Sequence, residues 1–183
     1  MAQRKMLFKV VIVGDGGIGK STMVQRLTTG EFIPQKITIG TDLAVVNVQI
    51  DNKITVNLQI WDFAGERRFR IFLPNYSRGA AGCLLCYDIT RQTSFDSLDE
   101  WFNIVNDNAD NPVFILVGEK LDLADIRRSV EHKHGEKFKN QYKLDYFFET
   151  SSKSGENNRM IFETLTRKIL EKRKVLMNNK SGT

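Results

Sequence analysis

The segment Gly14-Asp15-Gly16-Gly17-Ile18-Gly19-Lys20-Ser21-Thr22 fits the spacing G-x-x-x-x-G-K-[ST]. Glycines at these places let successive backbone N–H groups turn inward on a polyphosphate, and a following helix N-terminus adds a favourable dipole. Lys20 is placed to reach the outer phosphates and Ser21 to give an oxygen to magnesium. An accidental glycine-rich turn is the alternative. Context decides against it: the apolar, β-branched run 8–13 precedes the motif, and residues 20–27 have helical composition. The loop implies a nucleoside triphosphate and leaves base and reaction open.

Later loops narrow the choice. Trp61-Asp62-Phe63-Ala64-Gly65 puts a carboxylate at a strand end, where it can hold magnesium's water shell, and then a glycine whose N–H can meet a γ-phosphate. Glu119-Lys120-Leu121-Asp122 follows the apolar run 113–117, and Glu149-Thr150-Ser151-Ser152-Lys153 follows the run 146–148. Cys83 and Cys86 form a C-x-x-C within a short apolar run of strand character. Residues three apart on a strand point to opposite faces, so buried, inert thiols are expected rather than a redox pair or half a zinc site. His132 and His134 have no second ligand pair at zinc spacing and read as solvated.

The elements that must position these residues alternate. Strands are expected at 8–13, 82–87, 113–117 and 146–148, with 43–50 and 54–61 as a hairpin closed by Asp51-Asn52-Lys53. Helical spacing recurs around Phe95, Leu98, Trp101 and Phe102, and again in Ile161, Phe162, Leu165 and Ile169. This predicts an α/β fold with a mostly parallel six-stranded sheet, one antiparallel hairpin strand at or near its edge, and helices on both faces. Ligands of such sheets bind at the carboxyl ends of the strands, where the loops above fall. No Ser/Gly/Pro-rich linker divides the chain, so one domain is expected over 1–172 with a basic tail over 173–183.

The 183 residues carry 27 Lys+Arg against 22 Asp+Glu, a net charge of +5. The excess lies wholly at the end, in Arg167, Lys168, Lys172, Arg173, Lys174 and Lys180 against Glu171, and the balanced remainder gives no case for nucleic-acid binding. A solvated helix end is one reading of this stretch; weak attraction to anionic lipid, about 1 kcal/mol per basic residue, is the other. No apolar run approaches a membrane span, and Met1-Ala2-Gln3-Arg4-Lys5 leads into a strand instead of a signal peptide's apolar core, so a cytoplasmic setting is expected, with peripheral membrane contact through the tail.

With these loops in this order the sequence closely resembles a small GTPase of the Ras superfamily, a P-loop NTPase, over residues 8–172. Thr38-Ile39-Gly40, Trp61 before Asp62, Tyr87-Asp88-Ile89-Thr90 and Ser94-Phe95 resemble the Rab branch, while Thr29-Gly30-Glu31-Phe32 is more like Ran. The resemblance implies GTP/GDP and Mg2+ as ligands, slow GTP hydrolysis, a monomer, and an exchange factor, an activating protein and effectors as partners. It implies that Thr38 closes on magnesium and the γ-phosphate, with Ser21 and Asp62 completing the metal's protein ligands. Phe32 would pack against guanine and Lys120 along it. Asp122 would accept from N1–H and the 2-amino group, a donor pair adenine lacks, and the backbone around Ser151, Ser152 and Lys153 would meet O6. Leu43, Trp61 and Tyr76 stand where Rab-like proteins present an apolar triad to effectors; read alone, Trp61 is equally an ordinary half-buried strand aromatic.

Several positions depart from the family pattern. Glu66 stands where a glutamine usually orients the attacking water. A carboxylate accepts from water but cannot donate to transition-state oxygens, and it adds negative charge, so slow hydrolysis or a nucleotide-binding scaffold with little hydrolysis is expected. Arg67 and Arg68 follow, either as a solvated basic pair, as a counter-charge to Glu66 or as an internal arginine finger. Glu119 stands where asparagine usually donates to guanine N7. An unmet acceptor there would cost about 1–3 kcal/mol, roughly 5- to 150-fold in affinity, unless Glu119 turns outward to solvent or a lysine. The stretch between Lys20 and Thr38 is about one residue short of the Rab and Ran patterns. Residues 178–183 contain no cysteine for prenylation, and Ala2 excludes myristoylation. A P-loop kinase or ATPase is a distant reading that leaves 120–122 and 151–153 without a role.

Overall fold

The apolar runs become strands β1 (Met6–Val13), β2 (Thr41–Gln49), β3 (Thr55–Phe63), β4 (Gly82–Asp88), β5 (Val113–Glu119) and β6 (Tyr146–Glu149). They belong to a computed structural model that describes residues 6–51 and 54–180, with side chains of the last helix described as far as 174. Asn52 and Lys53 of the expected hairpin turn, residues 1–5 and tail residues 181–183 lie outside the described residues.

The sheet order is β2-β3-β1-β4-β5-β6. β2 and β3 pair antiparallel, with Leu43 opposite Trp61 and Asp42 opposite Asp62, and every other pairing is parallel. Position in the sheet follows from composition. Every residue of β4 and β5 is buried, as suits continuous apolar runs covered on both faces, whereas β2 lies at the edge and is mostly exposed. Ile54 N–H donates to Asp51 Oδ1 at 2.9 Å where the hairpin closes.

The helices are α1 (Lys20–Thr29), α2 (Leu73–Ser77), α3 (Gln92–Asp96), α4 (Leu98–Asn108), α5 (Ala124–Arg127), α6 (His132–Gln141) and α7 (Asn158–Lys180). On one face Ile12, Leu58, Leu84 and Ile115 pack with Met23 of α1 and with Ile161, Phe162 and Leu165 of α7. On the other, Val11, Leu85 and Leu116 pack with Leu98, Trp101 and Val105 of α4 and Phe138 of α6. Cys83 belongs to the second core and Cys86 to the first; both are fully buried, and burial pushes both thiols up, so neither is reactive. His132 and His134 are exposed.

The helical stretch around residues 95–102 is two helices, not one. Ser97 Oγ donates to the Ser94 carbonyl at 3.2 Å, competing for an acceptor a continuous helix would use. Helix α7 runs across position 172, where the sequence ends the domain, and part of its basic end packs on the body. Arg167 donates to the Ile50 carbonyl at 2.7 Å, Lys172 to that of Pro112 at 3.1 Å, and Arg173 lies over the Phe8 ring at 5.3 Å. Among the described residues no helix is long and apolar enough to cross a membrane.

Candidate functional site

Strand order reverses at β1, whose neighbours are β3 on one side and β4 on the other, and the glycine-rich loop leaves β1 there. It borders a cleft of about 470 Å³ lined by Gly16–Thr22 of that loop, by 34–38, by Phe32, and by Glu119, Lys120, Asp122, Ser152 and Lys153. Two places in the loop admit glycine alone. Gly14 has φ 138, and a Cβ there would stand 2.2 Å from the Cys86 carbonyl oxygen; Gly19 has φ 114, with Glu119 3.4 Å from where a Cβ would be. Lys20 is buried and its Nζ donates to the Gly14 and Asp15 carbonyls, each at 2.8 Å. Burial lowers its pKa, and Asp62 is the foremost group opposing that shift. An anion in the cleft would favour the charged form further.

Beneath the loop, Ser21, Thr38 and Asp62 converge from α1, the preceding connection and β3. Ser21 Oγ lies 2.7 Å from Thr38 Oγ1 and donates to Asp62 Oδ2, while Asp62 Oδ1 is buried without a hydrogen-bond partner. Burial raises the Asp62 pKa, so the site favours a positive charge. Two hydroxyls and a carboxylate with an unused oxygen suit a hard cation such as magnesium. Gly65 presses on the glycine-rich loop: a Cβ there would stand 2.0 Å from Gly16 N. Glu66 lines the cleft, and its Oε2 is 2.7 Å from Arg68 Nε. Arg68 thus stands beside Glu66 as a counter-charge, and both arginines are exposed.

At the other end of the cleft the loops after β5 and β6 brace one another. Ser151 Oγ donates to Asp122 Oδ1 at 2.6 Å, and Leu121 N–H to the Thr150 carbonyl at 2.9 Å. Lys120, held at φ 72, spans two loops: Nζ is 2.6 Å from Asp88 Oδ2 and donates to the Gly17 carbonyl at 3.2 Å. Glu119 does not turn outward to solvent or a lysine. It is 1% exposed and accepts from Ser152 Oγ at 2.5 Å and from Lys120 N–H at 3.0 Å. Burial pushes its carboxyl up to about 7, and the Ser152 hydrogen bond is the largest influence holding it down.

Leu43, Trp61 and Tyr76 also come together. Leu43 is exposed and faces Trp61 across the β2–β3 pair, and the Trp61 and Tyr76 ring centroids are 5.3 Å apart. Residues missed by motif reading join the site as well. Leu123 and Arg127 line the cleft, and Arg91 donates to the Gly16 carbonyl at 2.7 Å. No spacing rule singles these out, because their place depends on how the loops after β4 and β5 fold back. Arg70 is buried against Asp15, a residue inside the motif that the pattern leaves free.

A family model described as the Ras family matches residues 9–171. The chain is 42% identical to GTP-binding protein ypt3 of Schizosaccharomyces pombe (strain 972 / ATCC 24843), over 89% of this chain and 76% of that one. It is 41% identical to Ras-related protein RIC2 of Oryza sativa subsp. japonica, over 97% and 82%. It is 40% identical to Ras-related protein Rab-30 of Homo sapiens, over 100% and 90%.

Proposed function

We propose, for a chain that belongs to the Ras family and is closely related to Rab-family members over most of its length, a guanine-nucleotide switch that hydrolyses GTP slowly. The supporting observation is one continuous cleft: the glycine-rich loop with Lys20 lines one end, and Lys120, Asp122 and Ser152 line the other. That lining suits a polyphosphate at one end and a purine presenting donors to Asp122 at the other.

The chain's residues then divide the work. Inward amides of 16–19 and the Lys20 ammonium hold the phosphates, Phe32 covers the base, and Ser151 fixes the carboxylate of Asp122 towards N1–H and the 2-amino group. Ser21, Thr38 and Asp62 hold magnesium, which when bound neutralises charge on the β- and γ-oxygens. Thr38 and Gly65 sense the γ-phosphate, so cleavage releases the segments carrying them. In that step water oxygen bonds to γ-phosphorus as the bond to the β–γ bridging oxygen breaks. Glu66 accepts a hydrogen bond from the water but has no hydrogen to donate to the equatorial oxygens, so the rate is low.

Leu43, Trp61 and Tyr76 form the effector surface of a Rab-like regulator of trafficking or other membrane-associated processes. The protein acts as a monomer with an exchange factor, an activating protein and effectors, in the cytoplasm and at membrane surfaces. Residues 1–172 act as the switch, and the tail from 173 gives weak contact with anionic lipid. Liposome binding unchanged by deletion after Lys172 would remove that last role. A second reading, a scaffold that binds GTP and hardly cleaves it, draws support from the Glu66–Arg68 pair, which holds the carboxylate on its own segment at 2.7 Å.

The test is to denature the purified protein, identify the released nucleotide, and follow single-turnover GTP cleavage with and without magnesium. Bound GDP with slow, magnesium-dependent cleavage is expected. No cleavage over many hours selects the scaffold, and a bound adenine nucleotide overturns both.

A further inference from the structure

Glu119 and Ser152 hold a hydrogen-bonded pair at the base end of the cleft, and the number of hydrogens it carries decides what it can recognise. Glu119 closes β5, is 1% exposed and lines the cleft with Ser152. Its Oε1 is 2.5 Å from Ser152 Oγ, its Oε2 takes Lys120 N–H at 3.0 Å, and a Cβ at Gly19 would stand 3.4 Å from Oε2. With the carboxyl ionised, the pair holds one hydrogen, spent on the internal bond, and offers a ligand only lone pairs. With it neutral, the pair holds two: one bridges Ser152 and Glu119, and the other is free for an acceptor. Guanine presents N7 and O6 as acceptors on the edge where adenine presents N7 and an amino group.

We propose that Glu119 and Ser152 read guanine with Glu119 in its neutral, carboxylic-acid form, the spare O–H of the pair donating to the acceptor edge of the base. The proposal rests on the guanine-nucleotide reading above. It turns an apparent loss at position 119 into a donor that must bring its own proton.

The surroundings favour the neutral form. From β4, Asp88 lies in register with Glu119, but its carboxylate is bound by Lys120 Nζ at 2.6 Å, and the Cys86 thiol is kept neutral by burial. From its own loop comes Asp122, a second negative charge, and from the loop after β6 come Ser152 and Lys153, the latter lining the cleft. The glycine-rich loop presents backbone at Gly19. Among the described residues no lysine or arginine forms an ion pair with Glu119. Burial therefore prevails and pushes the carboxyl up to about 7. A base with two more lone pairs beside it pushes in the same direction.

The experiment is calorimetry of GDP binding to the full chain at pH 8 with constant magnesium, in buffers of different ionisation heat. Wild type is expected to take up close to one proton per GDP bound, and its affinity to fall by up to about tenfold for each pH unit above 7. Glu119→Gln, whose amide donates at every pH, should bind without that uptake and with flat affinity, its folding checked by thermal melting. GDP binding by wild type at pH 8 with no proton uptake, or uptake equally large in Glu119→Gln, overturns the proposal and leaves the guanine reading standing. Failure of wild type to bind GDP at any pH overturns the guanine reading and this proposal with it.

Discussion

Arg70 reaches Asp15: its Nη2 stands 3.0 Å from Asp15 Oδ1, so the segment after β3 is tied directly to the glycine-rich loop. The same oxygen accepts Trp101 Nε1–H at 2.9 Å, the guanidinium lies 4.2 Å from the centre of the Trp101 ring, and Arg70 Nη1 bonds Glu100. Arg70 is buried while the next residues, Ile71 and Phe72, are exposed. One planar cation thus ties this segment to the loop, and together with the close approach of Gly65 to Asp15 and Gly16 it couples the segment to any rearrangement at Asp15.

Removing that anchor should cost stability and order together. Arg70→Ala leaves Asp15 with Trp101 alone and uncovers the indole face. About 2–3 kcal/mol of destabilisation is expected, below the range for fully buried pairs because the Asp15 and Glu100 side chains retain 24% and 54% exposure. Urea unfolding measures the loss, and trypsin should cut faster after Arg67 and Arg68. Arg70→Lys keeps the charge but not the fork and should fall between. Unchanged proteolysis in both variants would mean that the anchor does not order the segment.

Glu119 also leaves a mark on the protein without ligand. Its folded pKa, about 7, lies above the ordinary value of 4.5, so between these pH values the folded state holds more protons than the unfolded. The stabilisation from this group is complete below about pH 4.5 and is lost as pH rises through 7, reaching about 3 kcal/mol in the limit. Wild type should therefore lose stability relative to Glu119→Gln as pH rises from 5 to 8. A stability difference constant over that window would show that Glu119 titrates normally.

Gly65 should tolerate no side chain. A Cβ would meet Gly16 N at 2.0 Å and the Asp15 carbonyl carbon at 2.1 Å, both backbone, so the segment or the loop must move. Gly65→Ala is expected to bind GDP within a few fold of wild type and to lose the difference in protease sensitivity between the GDP and GTP forms. A GTP-dependent pattern matching wild type would mean that Gly65 does not carry the signal.

What the sequence exposed and what it hid divide along physical lines. The sheet was legible because apolar runs over 82–87 and 113–117 leave no choice but burial on both faces, and the edge hairpin was legible from a polar turn between alternating runs. Lys20, Ser21 and Asp62 stand out in the sequence by motif spacing and strand-end position, and Asp122 through the resemblance of its loop to the family's. Ser97's interruption of the helix was hidden, since a single side-chain hydrogen bond decides it. So was the partner of Glu119, because Ser152 lies 33 residues away and meets it only when β5 and β6 align. The Arg70–Asp15 contact was hidden for the same reason, as a long-range pairing between positions that motif patterns leave free.

Glu66 carries the prediction that bears most on turnover. Its carboxylate lines the cleft and is paired with Arg68 Nε at 2.7 Å, a contact with 67% and 38% exposure for the Arg and Glu side chains, so it adds little to stability. Glu66→Gln should then leave the melting temperature nearly unchanged. Its amide supplies the donor that the carboxylate lacks and removes a negative charge beside the developing phosphate charge. A single lost donor to a transition-state oxyanion typically costs about 100-fold or more, and an imperfectly placed one should still recover at least about tenfold in rate. Phosphate release in a single turnover at saturating magnesium measures it. A rate that falls on Glu66→Gln would instead make the carboxylate a working proton acceptor, with Arg68 holding it in place, and the slow-hydrolysis reading would have to be abandoned.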